Sequence, residues 1–222
     1  VPTGQSGAVV DTAYTGAPVA IPDSPAPAVT ATQVVSGIMA AAAKVTFSID
    51  GTVCDTTPAS TTVGLDHTFV GDLAISLTSP SGTTVRLTAV GGNAGVNFCN
   101  TVFDDAAATA WIDATSASAP FTGSFRPVDP LSAFIGEDPN GTWTVTLRDG
   151  GGGDVGTLRA FTVHVTGASC ATPYPSVVTG AASGVGEGSA TLAASINPNG
   201  LSTTAFFDYG PTNAYGSQIA AT

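Results

Sequence analysis

Alternation with a period of two, broken every few residues by Gly and Pro, is what most limits the folds open to this chain. Val45-Thr46-Phe47-Ser48-Ile49 puts three large apolar side chains on one face of an extended segment and two hydroxyls on the other, as a half-buried strand requires. Leu73-Ala74-Ile75-Ser76-Leu77 repeats the pattern. Ser79-Pro80-Ser81-Gly82 then turns the chain into residues 84–87, so this pair is expected to be a hairpin. Residues 142–147 and 158–165 are expected to form a second hairpin around the glycine-rich stretch 149–156. No segment carries a sustained helical period with caps. Short strands separated by Gly and Pro turns imply an all-β sandwich or jelly roll.

Composition narrows the partners. Of 222 residues 43 % are hydrophobic, enough for a self-sufficient core, but only 9 % are charged. Five Lys and Arg against sixteen Asp and Glu give a net charge of -11, which argues against a phosphate backbone as partner. The same surplus suits a hard cation such as calcium, or simply keeps an exported protein in solution. No apolar run is long enough to span a membrane. The chain begins at Val1, as expected of a processed or excised piece. Cys54, Cys99 and Cys170 include no C-x-x-C pair, so one disulfide and one leftover thiol are expected rather than a zinc site. With two histidines and neither a G-x-S-x-G elbow nor a paired Asp–His–Ser framework in the sequence, no catalytic constellation is expected.

Residues 1–20, rich in Pro, Gly, Ala and Thr, read as an extended lead-in or linker with an edge strand near residues 8–10. A composition break at 168–175 reads as a linker. Strand patterns restart beyond it at Val177-Val178, at residues 190–196 and at residues 205–209.

Over residues 21–167 the chain resembles the P/Homo B domain of subtilisin-like proprotein convertases. The segments that carry the resemblance occur in the family's order: Ile21-Pro22-Asp23, His67-Thr68-Phe69-Val70-Gly71-Asp72-Leu73, Ser79-Pro80-Ser81-Gly82-Thr83, Asn97-Phe98 and Phe103-Asp104-Asp105. Pro120-Phe121-Thr122-Gly123-Ser124-Phe125-Arg126-Pro127, Leu131-Ser132 and Gly136-Glu137-Asp138-Pro139-Asn140-Gly141-Thr142-Trp143 complete the series. Residues 51–65, with Cys54, look like an insertion. The resemblance implies a jelly-roll β-sandwich without chemistry of its own, following and stabilising or targeting a parent catalytic domain in a secreted protease. Residues 176–222 resemble the first part of an immunoglobulin-like, fibronectin type III-like sandwich through Gly188–Leu192, Asn197-Pro198-Asn199-Gly200 and Phe207-Asp208-Tyr209-Gly210. Such a sandwich needs about 100 residues, so its apolar face is expected to seek cover from a continuation or from neighbouring copies of the chain. That raises a second reading, a structural or adhesive subunit of an extracellular fibre, sheath or surface layer.

The order of strands suggests where a site could lie. If residues 45–49 lead into the insertion and then into residues 67–71, then Asp72, the insertion and a loop over residues 91–105 share one end of the sheet. Cys54 and Cys99 become the expected disulfide, and Asp66, Asp72, Asp104 and Asp105 gather nearby. Calcium is expected there, with Asp72, Asp104 and Asp105 as ligands; the alternative is that these carboxylates only cap turns. Asp149 to Asp154 reads as a plain loop before it reads as a metal site, and His67 as a hydrogen-bonded structural residue.

Overall fold

The computed structural model describes residues 6–91, 94–168, 175–200, 202–212 and 214–221. In chain order its strands are β1 (Ser6–Ala13), β2 (Val19–Ile21), β3 (Val29–Val35), β4 (Ala42–Ile49), β5 (Leu65–His67), β6 (Leu73–Thr78), β7 (Thr84–Arg86) and β8 (Thr101–Phe103). Then follow β9 (Gly123–Phe125), β10 (Gly141–Asp149), β11 (Gly156–Leu158), β12 (Phe161–Ala168), β13 (Ser176–Thr179), β14 (Ala194–Asn197), β15 (Phe206–Tyr209) and β16 (Ser217–Ala220). The described helical turns are short and of 3-10 type. The chain folds as two units, Val1–Ser169 and Cys170–Thr222.

The first unit is an all-β sandwich. One sheet runs β1-β12-β4-β8-β9, a second β3-β10-β6-β7, and a short third β2-β11-β5. Period-two sequences place the core. On β10, Trp143, Val145 and Leu147 are buried, and Val145 and Leu147 lie opposite Leu77 and Ile75 of β6. From the first sheet, Val45, Phe47 and Ile49 of β4 join Phe161, Val163 and Val165 of β12 in the same apolar cluster. Trp111 is surrounded by Phe98, Phe103, Phe121 and Phe125 at ring-centroid distances of 5.1–5.9 Å. Rings of this size each contribute about 1.5–3 kcal/mol by leaving water, so this cluster anchors the segments joining β8, β9 and the turns beyond them.

The hairpin expected at Pro80 is present, with β6 pairing β7 antiparallel. Glu137 closes its turn, accepting hydrogen bonds from the hydroxyls of Ser79 and Thr83. The second expected hairpin is not. β10 pairs β3 and β6 in one sheet, while β12 pairs β1 and β4 in the other. The glycine-rich stretch is a crossover between sheets, with β11 inserted on the way. Periodicity shows that a segment is a strand, not which sheet will accept its edge.

The lead-in also differs from a linker. β1 occupies the outer edge of the first sheet along β12, and β2 pairs β11. Tyr14 stacks on Phe161 at 4.6 Å, and β1 carries the expected strand at residues 8–10.

In the second unit β13 pairs β14 and β15 pairs β16, each as a separate two-stranded ladder. None of its described residues is buried. Ala190, Leu192, Ile196, Phe207 and Ile219 line an open groove of about 450 Å³. Two ladders are fewer strands than a closed sandwich needs, and a fibronectin type III fold is not established. Cys170 and most of the linker expected at 168–175 lie outside the described residues.

Candidate functional site

The insertion before β5 is built onto the sheet. A disulfide joins Cys54 to Cys99, and isolated bridges tie Gly51 to Val63 and Leu65 to Phe98. Asp55 organises the turn between them: its carboxylate accepts from the Thr57 N–H at 2.8 Å and from the hydroxyls of Ser60 and Thr62. That backbone hydrogen bond, the largest influence, holds the Asp55 carboxyl below its ordinary value against slight burial, with the hydroxyls helping. Fully buried Asn97 holds the insertion from inside. Its Nδ2 donates to the carbonyls of Asp55 and Thr57, both at 3.0 Å, and its Oδ1 accepts from the His67 N–H at 3.1 Å.

The four aspartates expected at one end have separate partners. Asp66 is buried and paired with Arg159. Asp104 pairs with Lys44 at 2.7 Å and accepts from the Ala106 N–H at 2.9 Å. Burial pushes the Asp104 carboxyl up, but the Lys44 hydrogen bond, the Ala106 N–H and the Lys44 charge together bring it below its usual range. Asp105 accepts from the N–H groups of Leu131 and Ser132, both at 2.8 Å, capping the turn Leu131–Phe134. Asp72, at the end of the turn Val70–Asp72, stands instead beside Asp149 and Asp154. Burial, then the charges of Asp149 and Asp154, push its carboxyl above the ordinary range, while His67 pulls the other way.

The structure thus does not gather Asp72 with Asp104 and Asp105. The reason is β8. The sequence reads residues 91–105 as one loop, but Thr101–Phe103 is a strand paired antiparallel with Ile49 to Phe47. It carries Asp104 back along β4 to Lys44, whereas the Cys54 insertion leaves β4 from the other end. At about 3.3 Å per residue, the six positions from Asp50 to Lys44 span roughly 20 Å. Among the described residues no three His, Cys, Asp or Glu side chains converge on a point that could hold a metal ion.

What does form around Asp72 is a buried polar cluster. The side chains of His67 and Asp149 are fully buried, with Nε2 and Oδ2 facing each other at 3.4 Å. Neither atom has a hydrogen-bond partner. His67 Nδ1 meets the Phe69 carbonyl at 3.0 Å, and Asp149 Oδ1 accepts from the Gly151 N–H at 3.0 Å. Asp154 accepts from the Thr68 hydroxyl, and Asp23 from the Gly153 N–H at 2.9 Å. The crossover glycines are thereby pinned to β5 and to the residues following β2.

Sequence reasoning missed one constellation. On the outer face of the first sheet, His164 Nδ1 lies 2.7 Å from Asp11 Oδ1 and its Nε2 lies 2.9 Å from Ser48 Oγ. An Asp–His–Ser line therefore exists, assembled from β1, β12 and β4, where no local motif announces it. It differs from a catalytic triad in its protons. The Ser48 hydroxyl donates to Asp50 Oδ1 at 2.6 Å, and Ser48 is only 4 % exposed. A nucleophilic serine must give its proton to the histidine and reach a substrate.

Compared with known proteins, residues 57–165 match the family model described as the proprotein convertase P-domain. No curated protein matches the chain. Among solved structures, a serine protease of Aeromonas sobria in complex with its chaperone is 17 % identical, with a TM-score of 0.44 over 77 % of this chain and 28 % of that one. The same protease alone is 18 % identical, with a TM-score of 0.43 over 75 % of this chain and 28 % of that one. This chain thus spans under a third of the length of either, and the assignment rests on the family model. The matched segment starts after β4, so the folded unit extends beyond it at the N-terminal side. Residues 57–165 are thus the part of the chain that carries the proprotein convertase P-domain match.

Proposed function

We propose that the chain is a non-catalytic accessory module of an exported multi-domain protein, a subtilisin-like protease, whose catalytic domain it stabilises or targets. The P-domain match across residues 57–165 is the observation that supports this reading most. The Cys54–Cys99 disulfide suits an oxidising compartment outside the cytosol. No described helix is long and apolar enough to cross a membrane. The test is the full open reading frame, produced with and without the first unit. A subtilisin-like catalytic domain whose thermal half-life falls several-fold on deletion is expected. A reading frame without a protease, or an unchanged half-life and destination, would overturn the proposal.

Calcium is a separate element of this proposal and rests on Asp72, because Asp104 and Asp105 already have protein partners. The like charges of Asp149 and Asp154 beside Asp72 support it. Tight calcium binding needs six to eight converging oxygens, so weak binding, with Kd on the order of 10⁻³ M, is expected. Calorimetry that gives no heat with calcium, or the same heat with Asp72→Asn, removes calcium from the reading.

A second reading, a structural subunit that associates with neighbouring copies, is favoured by the second unit. Val177, Val178, Phe206, Tyr209 and Ile219 are exposed there, and no described residue is buried. Light scattering on the purified chain distinguishes the two: concentration-dependent polymers support the subunit reading, and a monomer removes it.

A further inference from the structure

We propose that His164 is a proton-dependent clasp that holds the edge strand β1 on the sandwich. The protons along one hydrogen-bonded line decide the charge it needs. Asp50, just past β4, is an acceptor at both oxygens: Oδ1 takes the Ser48 hydroxyl at 2.6 Å and Oδ2 the Thr162 hydroxyl at 2.7 Å. Ser48 has a single proton, and it is committed to Asp50. The 2.9 Å contact between Ser48 Oγ and His164 Nε2 therefore needs an N–H on Nε2. At the other end, Asp11 is also a carboxylate acceptor, so the 2.7 Å contact with Nδ1 needs an N–H there too. A neutral imidazole carries one N–H. The whole line is satisfied only when His164 is an imidazolium, lying between the negative charges of Asp11 on β1 and Asp50 next to β4.

The placement makes this a strand clasp. Among the described residues β1 is the edge of its sheet, with β12 as its one ladder partner. Asp11 lies directly opposite His164 in that ladder, and charge-assisted hydrogen bonds of this length are the strong kind. The charged groups around His164 are Asp11 from β1, Asp50 beside β4, and Lys44 further along β4, which is paired with Asp104. From β8, which borders β4, no titratable side chain is contributed: its residues are Thr101, Val102 and Phe103. Deprotonation of Nε2 leaves Ser48 with one proton for two acceptors, and it removes the positive charge facing Asp11. β1 then keeps its backbone ladder and the Tyr14–Phe161 stack, but loses the charged link.

The experiment follows His164 and β1 together on the full chain. Nitrogen-15 chemical shifts of the His164 ring report its protonation across a pH series, and amide hydrogen exchange, corrected for intrinsic pH dependence, reports the opening of β1. As His164 deprotonates, exchange at Val10 and Thr12, whose N–H groups face β12 in register with the Tyr14 N–H bonded to Phe161, is expected to rise on the order of tenfold, while exchange in β10 stays constant. In His164→Gln the step should vanish. Unchanged β1 exchange through the His164 transition, the same step in His164→Gln, or a neutral single-tautomer ring wherever the Ser48 and Asp11 contacts are intact would each overturn the proposal.

Discussion

Replacing both Cys54 and Cys99 by Ser is the most informative test of how the insertion is built into the fold. The two cysteines are 45 residues apart in sequence, so reduction restores to the unfolded chain the freedom of a loop of that size. The loop-closure relation gives about 4 kcal/mol for such a crosslink at room temperature. For a folded unit of this size each kcal/mol moves the midpoint by roughly 2–4 °C, so Tm should fall by about 8–16 °C. The native insertion should survive, because Asn97, the Asp55 turn and the bridges at Gly51 and Leu65 hold it without the bond. Tryptophan fluorescence is the right assay: both tryptophans, Trp111 and Trp143, are buried in the first unit, so the signal is blind to the second. Urea titration supplies the second arm. If the bond acts on the unfolded state, the m-value of the double variant should rise, since a chain without the crosslink exposes more surface. A Tm loss below about 3 °C with an unchanged m-value would refute the argument, as would mass mapping that links either cysteine to Cys170.

Three further outcomes follow from the hydrogen bonds and charges. Asn97→Ala strands the His67 N–H and the Asp55 and Thr57 carbonyls and puts alanine at φ +63°; a loss of roughly 3 kcal/mol is expected by chemical denaturation, and Asn97→Gly should recover about 1 kcal/mol of it. Asp72→Asn should raise the urea midpoint at neutral pH. The folded Asp72 carboxyl is raised by burial and by Asp149 and Asp154, so its contribution is present below the unfolded value of 3.8 and is lost as pH rises through the folded one; the variant's advantage should fade on acidification, and an advantage that grows instead would contradict the assignment. Asp104 has the opposite sign: its net lowering gives stability that is present above 3.8 and lost as pH falls through the folded value. Lys44→Met should therefore flatten the acid limb of stability against pH, by under about 1 kcal/mol for a pair this exposed; an unchanged limb would show that Lys44 contributes nothing.

The strands were legible in the sequence because their cause is local. A buried face forces alternation, so residues 45–49, 73–77 and 142–147 could be read as strands from side chains alone, and the Pro80 turn fixed one pairing. Pairings across long separations left no such trace. β12 accepts β1 from more than 150 residues away, and residues 149–156 look the same whether they close a hairpin or cross between sheets. β8 was the costlier omission. Three residues, Thr101–Phe103, are too few to show a period, yet their register against β4 decides where Asp104 lies.

The polar residues follow a further rule, and it bears on how acidic chains of this kind are read. The carboxylates of Asp55, Asp66, Asp104, Asp105, Asp129 and Glu137 each accept hydrogen bonds or face a cation. With 9 % charged residues and many short loops, the backbone N–H groups of turns need acceptors, and Asp supplies them at two to three residues' reach. A surplus of aspartate in a sandwich of short strands therefore measures its loops before it measures its metal sites. The exceptions are found by subtraction. Asp72 is raised beside Asp149 and Asp154, and the facing atoms His67 Nε2 and Asp149 Oδ2 are buried and unmet by hydrogen bonds. The Asp11 carboxylate faces His164 across the β1–β12 ladder. His67 and Asp72 share one sequence segment, but the groups that set their surroundings, Asp149 and Asp154, like the His164 that meets Asp11, come from strands and loops distant in sequence; these environments are written into sheet order, and only the fold makes them readable.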